Sequence, residues 1–275
     1  MNNKIIKDHS VSKKEFEILY DSEKDLYKTI FNDWTQLDKY YQSEKYISHT
    51  DSKKTWFDKT YQLIKKITIK NKWQLIKKYQ QHKNISVLDV GCGTGDFLKF
   101  GLKEGYKVVG VEPNDQARKL ANKKLLTVKK ELSEISKQQF DVITLWHVLE
   151  HVPDYNDYIN QLKSLLKSNG ILIIAVPNFK SYDATYYKKY WAAWDVPRHL
   201  WHFSKNTMWN ISKRHQLALI HIKPMYFDSF YVSMLSEEYK NSRKNILKAF
   251  WIGLWSNSKG LYTKEYSSHI YIFKK

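Results

Sequence analysis

The sequence has one cysteine, five prolines, nine glycines and only four arginines against 42 lysines. A single cysteine, Cys92, excludes an internal disulfide and a zinc site built from several cysteines. The longest apolar run, near residues 171–176, is far shorter than the ~20 residues that span a bilayer. Residues 1–9 contain no apolar segment of signal-peptide length. We therefore expect a soluble, cytoplasmic protein without a membrane span, stabilised by an ordinary hydrophobic core.

The chain is long enough, at 275 residues, for one large α/β domain or a domain with an extension. Its net charge of +18 is typical of proteins that bind nucleic acids or anionic surfaces. The small number of arginines argues against specific phosphate or guanine recognition, which favours the planar guanidinium. A lysine-rich composition bias explains the charge better than nucleic-acid binding, and both interpretations stay open.

The pattern of apolar residues changes near residue 84. Residues 1–83 are polar, aromatic and lysine-rich, with helical spacing over 54–83, so we predict a helical N-terminal extension there and a second domain over 84–275. Short β-branched runs then alternate with helical segments, which predicts a parallel sheet covered by helices on both faces. The predicted strands cover residues 85–90, 107–112, 140–145, 171–176, 218–222 and 267–273. The predicted helices cover residues 97–104, 116–124, 155–166, 205–214 and 227–258, and residues 178–204 are predicted to form a long aromatic loop.

A glycine-rich turn follows the first of these strands, with glycine at positions 91, 93 and 95. A strand–turn–helix of this kind typically binds a nucleotide-type cofactor, because glycine lets the backbone approach a ligand closely. We call this predicted binding site the cofactor seat. Glu112 ends the next strand, where an acid accepts hydrogen bonds from ribose hydroxyls. Asp96 stands where a dinucleotide fingerprint needs glycine, and Asp89 would repel a pyrophosphate. These charges favour S-adenosylmethionine, which carries an ammonium and a sulfonium, over NAD as the cofactor.

These segments resemble the class I S-adenosylmethionine-dependent methyltransferases over roughly residues 85–222. Residues 147–154 and 195–204 are similar to segments of the ubiquinone-biosynthesis-like branch. The resemblance implies a doubly wound, Rossmann-like α/β sheet of seven strands. It implies methyl transfer from S-adenosylmethionine to an oxygen of a small molecule or glycan. It also implies, together with the turn itself, that the cofactor is held by Asp89, Gly91, Cys92, Gly93, Gly95, Glu112, Pro113, Leu145, Trp146 and His147.

Histidines are the candidate proton acceptors, because imidazole titrates near neutral pH. We predict His199 and His151 as catalytic residues, with His199 accepting a proton from a hydroxyl nucleophile. The alternative is that each only holds its loop in place. His147, Glu150 and His151 would share one face of a helical turn, where they either bind a divalent cation or orient the loop. We predict no bound metal.

Aromatic residues surround these histidines in the sequence. Those of the long loop either stack on a substrate or pack as a lid on their own domain. The loop residues concerned are Tyr182, Tyr186, Tyr187, Tyr190, Trp191 and Trp194. A second cluster, expected to close partly over the cofactor, consists of Tyr40, Tyr41, Tyr46 and His49.

Two further functions remain open. An RNA or protein methyltransferase, or a nucleic-acid-binding relative without catalysis, would account for the positive charge. Against it, residues 145–148 lack the Asn/Asp-Pro-Pro-aromatic pattern of many enzymes that methylate amino groups. An NAD-dependent enzyme is disfavoured by Asp96.

Overall fold

A computed structural model describes residues 2–31, 39–41, 56–81, 84–243 and 245–275. Tyr46 and His49 therefore lie outside the described residues. The strands are β1 (Lys4–Lys7), β2 (Glu15–Asp21), β3 (Leu26–Thr29), β4 (Ser86–Val90), β5 (Lys107–Val111), β6 (Val128–Lys129), β7 (Phe140–Trp146), β8 (Leu166–Pro177), β9 (Trp201–His202), β10 (Ala218–Pro224) and β11 (Ser268–Lys274). The helices are α1 (Trp56–Tyr79), α2 (Asp96–Lys103), α3 (Asp115–Asn122), α4 (Tyr155–Leu165), α5 (Tyr182–Tyr187), α6 (Lys205–His215), α7 (Asp228–Asn241) and α8 (Ile246–Thr263).

The described chain forms two compact units that are interleaved in sequence. The first comprises Met1–Gln42, His147–Asn156 and Ile174–Ile272, and the second comprises Ser43–Trp146, Asp157–Ile173 and Phe273–Lys275. The single boundary predicted at residue 84 stays a prediction.

A seven-stranded sheet has the hydrogen-bonded order β10-β11-β8-β7-β4-β5-β6, which confirms the predicted doubly wound fold. Strand β4 pairs in parallel with β5 and with β7, in the registers Val87↔Val108 and Leu88↔Ile143. Apolar runs such as Val87 and Leu88 are wholly buried, as expected for strands covered on both faces. Because parallel neighbours end at the same edge, the carboxyl ends of β4, β5 and β7 come together there.

The N-terminal segment differs in part from the prediction. Helix α1 confirms the helical spacing of residues 54–83, but β1, β2 and β3 form an antiparallel meander with β9. The strands bury Ile6, Ile18 and Tyr27. Their partly buried, alternating pattern is that of a sheet packed on one face only. The helical part of the extension is therefore α1, and the sequence analysis placed no strands in these first residues.

The aromatic loop fills the core of the first unit. Tyr187, Trp191 and Trp194 are buried against the β1–β3 meander. The indole N–H of Trp191 donates to Asp183 (2.7 Å), and that of Trp194 donates to the Lys188 carbonyl (2.8 Å). These three rings therefore pack on their own unit, as one of the two interpretations proposed. Among the residues that the structure describes, no helix is both long and apolar enough to cross a membrane.

Candidate functional site

The glycine-rich turn connects β4 to α2 within the second unit. Gly91, Gly93 and Gly95 all have left-handed backbones, with φ of 67°, 54° and 79°. The N–H groups of Gly91 and Cys92 donate to the Val111 carbonyl at 2.7 and 3.1 Å, which ties the turn to the end of β5. This arrangement is the one that the strand–turn–helix pattern predicted.

Gly93 and Gly95 need glycine for different reasons. A Cβ at Gly95 would lie 2.4 Å from Leu126 Cδ1, so that position is closed by packing. A Cβ at Gly93 would have no atom within 4 Å. The backbone of Gly93 thus borders open space, as a cofactor-facing position requires.

Glu112 joins the end of β5 to the turn. Its carboxylate accepts hydrogen bonds from the backbone N–H of Gly93 (2.8 Å) and of Asn114 (2.9 Å). Burial raises the pKa of Glu112, and these two N–H donors act in the opposite direction. Pro113 is exposed beside it, and Arg118 donates to the carbonyls of both residues, at 2.7 Å for Glu112 and 3.0 Å for Pro113.

Asp89 is a buried carboxylate on β4. It accepts a hydrogen bond from the Thr144 hydroxyl at 2.6 Å, and burial raises its pKa to about 7. Burial also raises the pKa of the Cys92 thiol, and the charges of Asp89 and Glu112 raise it further. Two carboxylates therefore make the turn electronegative, which suits a cationic ligand and disfavours a pyrophosphate.

The end of β7 carries an indole N–H without a hydrogen-bond partner among the described residues. Leu145 is wholly buried, whereas Trp146 lies beside Phe97 (ring centroids 5.9 Å apart) and beneath the Lys72 ammonium, 4.1 Å from its ring. The buried Trp146 Nε1–H has no hydrogen-bond partner among the described residues. Open space at Gly93, two carboxylates and this donor fit S-adenosylmethionine, and the individual cofactor contacts stay predictions.

His147 belongs to the first unit and carries a charge. Its ring nitrogens face two carboxylates, with Nδ1 3.3 Å from Glu150 and Nε2 3.0 Å from Asp228. Burial alone would lower its pKa, but the charge of Asp228 and the contacts with both carboxylates raise it to about 10. His147 is therefore an imidazolium at neutral pH. It offers a cation no free nitrogen, so the proposed trio of His147, Glu150 and His151 does not form.

His151 and His199 have a defined tautomer. Nδ1 of His151 lies 3.0 Å from the Arg198 carbonyl, and Nδ1 of His199 lies 2.8 Å from the Ala193 carbonyl. A carbonyl only accepts, so each Nδ1 carries a proton, and the lone pair of the ring, where it has one, is on Nε2. Burial, and then the charge of His199, lower the pKa of His151 to about 4. His151 is neutral at physiological pH.

A buried carboxylate lies next to these two histidines. We call Glu150, His151 and His199 the histidine cluster. One ligand atom from each of the three lies within 4.8 Å of the others. Burial opposes the charge of Glu150, but the contact with His147 and the neighbouring histidines lower its pKa. A carboxylate with two imidazole nitrogens could hold a cation. Alternatively, one imidazole could accept a proton, and the carboxylate would balance the resulting positive charge. The predicted absence of a metal stays a prediction.

Arg198 and Tyr41 hold the cluster in place. The guanidinium of Arg198 is buried and pairs with Asp195 (Nε–Oδ2 2.9 Å) and Asp8 (3.5 Å), so it ties the loop to the N-terminal segment. The Tyr41 hydroxyl lies 3.1 Å from Nδ1 of His151. Sequence reasoning missed Asp8 and Asp228, because no local pattern marks a partner so distant along the chain.

The sequence of this chain matches known methyltransferases. A family profile described as "Methyltransferase domain" matches residues 61–222. The ubiquinone biosynthesis O-methyltransferase of Pelagibacter ubique is 34% identical over 160 residues, which cover 53% of this chain and 67% of the relative. That of Actinobacillus pleuropneumoniae serotype 7 is 39% identical over 106 residues, 34% of this chain and 45% of the relative. The chain thus spans less than half the length of this second relative.

Solved structures share the fold at low identity. The magnesium protoporphyrin IX methyltransferase of Synechocystis PCC 6803 superposes with a TM-score of 0.59 and 14% identity, covering 88% of this chain and all of that one. A SAM-dependent methyltransferase from Archaeoglobus fulgidus superposes with a TM-score of 0.51 and 20% identity, covering 76% and 94%. At such identities the similarity concerns the fold alone.

Proposed function

The chain belongs to the methyltransferase domain family, and from that membership we propose that it transfers a methyl group to an oxygen of a small molecule or glycan. The sequence-based assignment to the class I S-adenosylmethionine-dependent methyltransferases, with that cofactor, is confirmed. The identity of the acceptor is the part that we propose.

The pair of carboxylates at the glycine-rich turn accounts for the cofactor side of the reaction. Glu112 accepts a hydrogen bond from the Gly93 N–H at 2.8 Å. The charges of Asp89 and Glu112 both act on Cys92 of the same turn. S-adenosylmethionine supplies an activated methyl group on a sulfonium. The protein therefore needs chiefly to position the acceptor, which can contribute roughly 7–11 kcal/mol, and to remove its proton.

The observation that carries the oxygen acceptor is the histidine cluster. The printed function of the relatives, ubiquinone biosynthesis O-methyltransferases, supports the same acceptor. A hydroxyl loses its proton when its oxygen is methylated. We assign that proton to Nε2 of His199. Because Nδ1–H of the same ring is bonded to the Ala193 carbonyl, Nε2 is the nitrogen that can act as the base. The resulting positive charge would face Asp195, at 3.9 Å, and buried Glu150. His151 stays neutral beside it and orients the ring.

Methylation of RNA is the second candidate, because the net charge is +18. Two of the four arginines serve the fold: Arg198 is paired with Asp195, and Arg118 donates to backbone carbonyls. RNA binding through phosphate neutralisation would weaken steeply with salt. If the affinity for bulk RNA does not change with salt concentration, methylation of a small molecule remains the favoured function.

The test uses methyl-labelled S-adenosylmethionine and a panel of phenols, catechols and sugars. Wild-type protein should label at least one hydroxylated compound. His199→Ala should keep cofactor affinity in calorimetry but lose about 10²-fold or more in turnover, the usual range for a general base.

The matched control is His221→Ala, which removes an exposed histidine of β10 and should leave turnover unchanged. Equal turnover for His199→Ala and wild type would assign His199 to loop structure. Failure of the wild type to label any hydroxyl, together with labelling of RNA, would replace the proposed acceptor.

A further inference from the structure

Helix α8 places its small residues inward and its large apolar residues outward. Its buried residues are Ala249, Gly253, Ser256 and Gly260. In contrast, Leu247 is 77% exposed, Trp251 63% and Trp255 53%. We call the exposed residues the outer face of α8: Leu247, Phe250, Trp251, Leu254, Trp255, Leu261 and Tyr262.

Packing fixes this orientation. A Cβ at Gly253 would lie 2.8 Å from the Phe230 ring, and one at Gly260 would lie 2.6 Å from the Tyr266 ring. The Ser256 hydroxyl donates to buried Asp183 at 2.7 Å. The helix therefore cannot rotate to bury its tryptophans, and the outer face is a permanent surface feature. Contiguous apolar patches of this kind mark interaction sites.

The charge around the outer face is positive. Residues 246–263 contain Lys248 and Lys259 and no acidic residue. Lys248 pairs with Glu237 at 3.1 Å, so the positive charge beside the outer face comes from Lys259 and from the exposed Arg243 and Lys264 that flank the helix. The Lys259 ammonium lies 5.6 Å from the Trp255 ring. Tryptophan and lysine side by side are typical of helices that lie in the interface of a bilayer, because both side chains bridge an apolar and a polar layer.

We propose that the outer face of α8 docks on an anionic lipid bilayer, with the helix axis in the plane of the membrane. The length of α8, 18 residues, corresponds to about 27 Å lying flat. A second copy is a poorer occupant, because each chain carries +18 and like charges repel. Anionic headgroups complement both the lysines and the overall charge. The inference does not depend on the methyl acceptor.

The test is co-sedimentation of the full chain with phosphatidylcholine vesicles, with and without phosphatidylglycerol. Binding should require phosphatidylglycerol and should weaken at high salt. The double variant Trp251→Ser/Trp255→Ser should bind the vesicles at least about tenfold more weakly, because it loses two aromatic side chains that the bilayer would cover. Lys259→Glu, which leaves the apolar surface intact, should also reduce binding.

The matched control is Trp209→Ser. Trp209, on α6, is 50% exposed and has Lys213 at 5.5 Å from its ring, so it repeats the tryptophan–lysine pair outside the outer face. Its loss should leave vesicle binding unchanged, and calorimetric cofactor binding should verify that every variant is folded. Absence of binding to phosphatidylglycerol vesicles at low salt, or equal loss in Trp209→Ser, would overturn the proposal. A dimer in sedimentation velocity that the double variant dissociates would also overturn it, because a second copy would then cover the face.

Discussion

Gly93→Ala isolates the contribution of a single backbone position to cofactor binding. The residue has φ of 54°, and a Cβ placed there would meet no atom within 4 Å. The expected cost to the fold is therefore only that of a left-handed alanine, about 1–2 kcal/mol. For a chain of this size that lowers the melting temperature by roughly 2–8 °C.

Cofactor affinity should fall as well, whereas a purely structural role would lower stability alone. The new methyl group would project into the open space beside the Gly93 N–H, which Glu112 holds at 2.8 Å. If the cofactor occupies that space, we expect affinity for S-adenosylhomocysteine to drop at least tenfold, equivalent to about 1.4 kcal/mol. Calorimetry measures the affinity, and differential scanning fluorimetry measures the stability.

Gly105→Ala is the control for backbone strain. Gly105 follows α2, has φ of 87°, and its Cβ would likewise meet nothing within 4 Å. It should lose similar stability and bind the cofactor normally. Equal affinity of the two variants for S-adenosylhomocysteine would show that residue 93 does not face the cofactor, and the assignment of the seat would fail.

Two further predictions concern ionisation. Burial raises the pKa of Asp89 from 3.8 to about 7, so its charge opposes folding increasingly as pH rises between those values. Asp89→Asn should be at least as stable as wild type at pH 7 in urea, yet bind S-adenosylmethionine more weakly; unchanged affinity would remove Asp89 from the seat. The pKa of His147 is raised from 6.5 to about 10, so its stabilisation is complete below 6.5 and is lost as pH rises toward 10. Asp228→Asn should flatten that decline in unfolding free energy, and an identical pH profile would contradict the ion pair.

The cofactor seat could be predicted from sequence because its parts are local. The turn from Asp89 to Gly95 is contiguous, and left-handed backbone positions there leave glycine as their signature. Glu112 is brought to it by a general rule, since adjacent parallel strands end at one edge. Thus β4, β5, the helices that follow them and the family could be identified without coordinates.

Packing that depends on distant partners could not be predicted. Strands β1–β3 lack long β-branched runs, and they are stabilised by burial against Trp191 and Trp194. Helix α8 is apolar in sequence, but only its contacts reveal that Gly253 and Ser256 are the buried side. Periodicity identifies a helix and does not determine which face is covered.

The fold class and the cofactor could be predicted before the structure was known, because they follow from apolar spacing, local backbone preference and the charges around the glycine-rich turn. The positions of protons on the histidines, in contrast, depend on tertiary packing. His147 is protonated because Asp228 faces it, and Nδ1 of His199 carries a proton because it donates to the Ala193 carbonyl. Protonation depends on burial and on the partners within a few ångströms. Those partners are set by how the chain packs, which the spacing of residues along the chain does not determine.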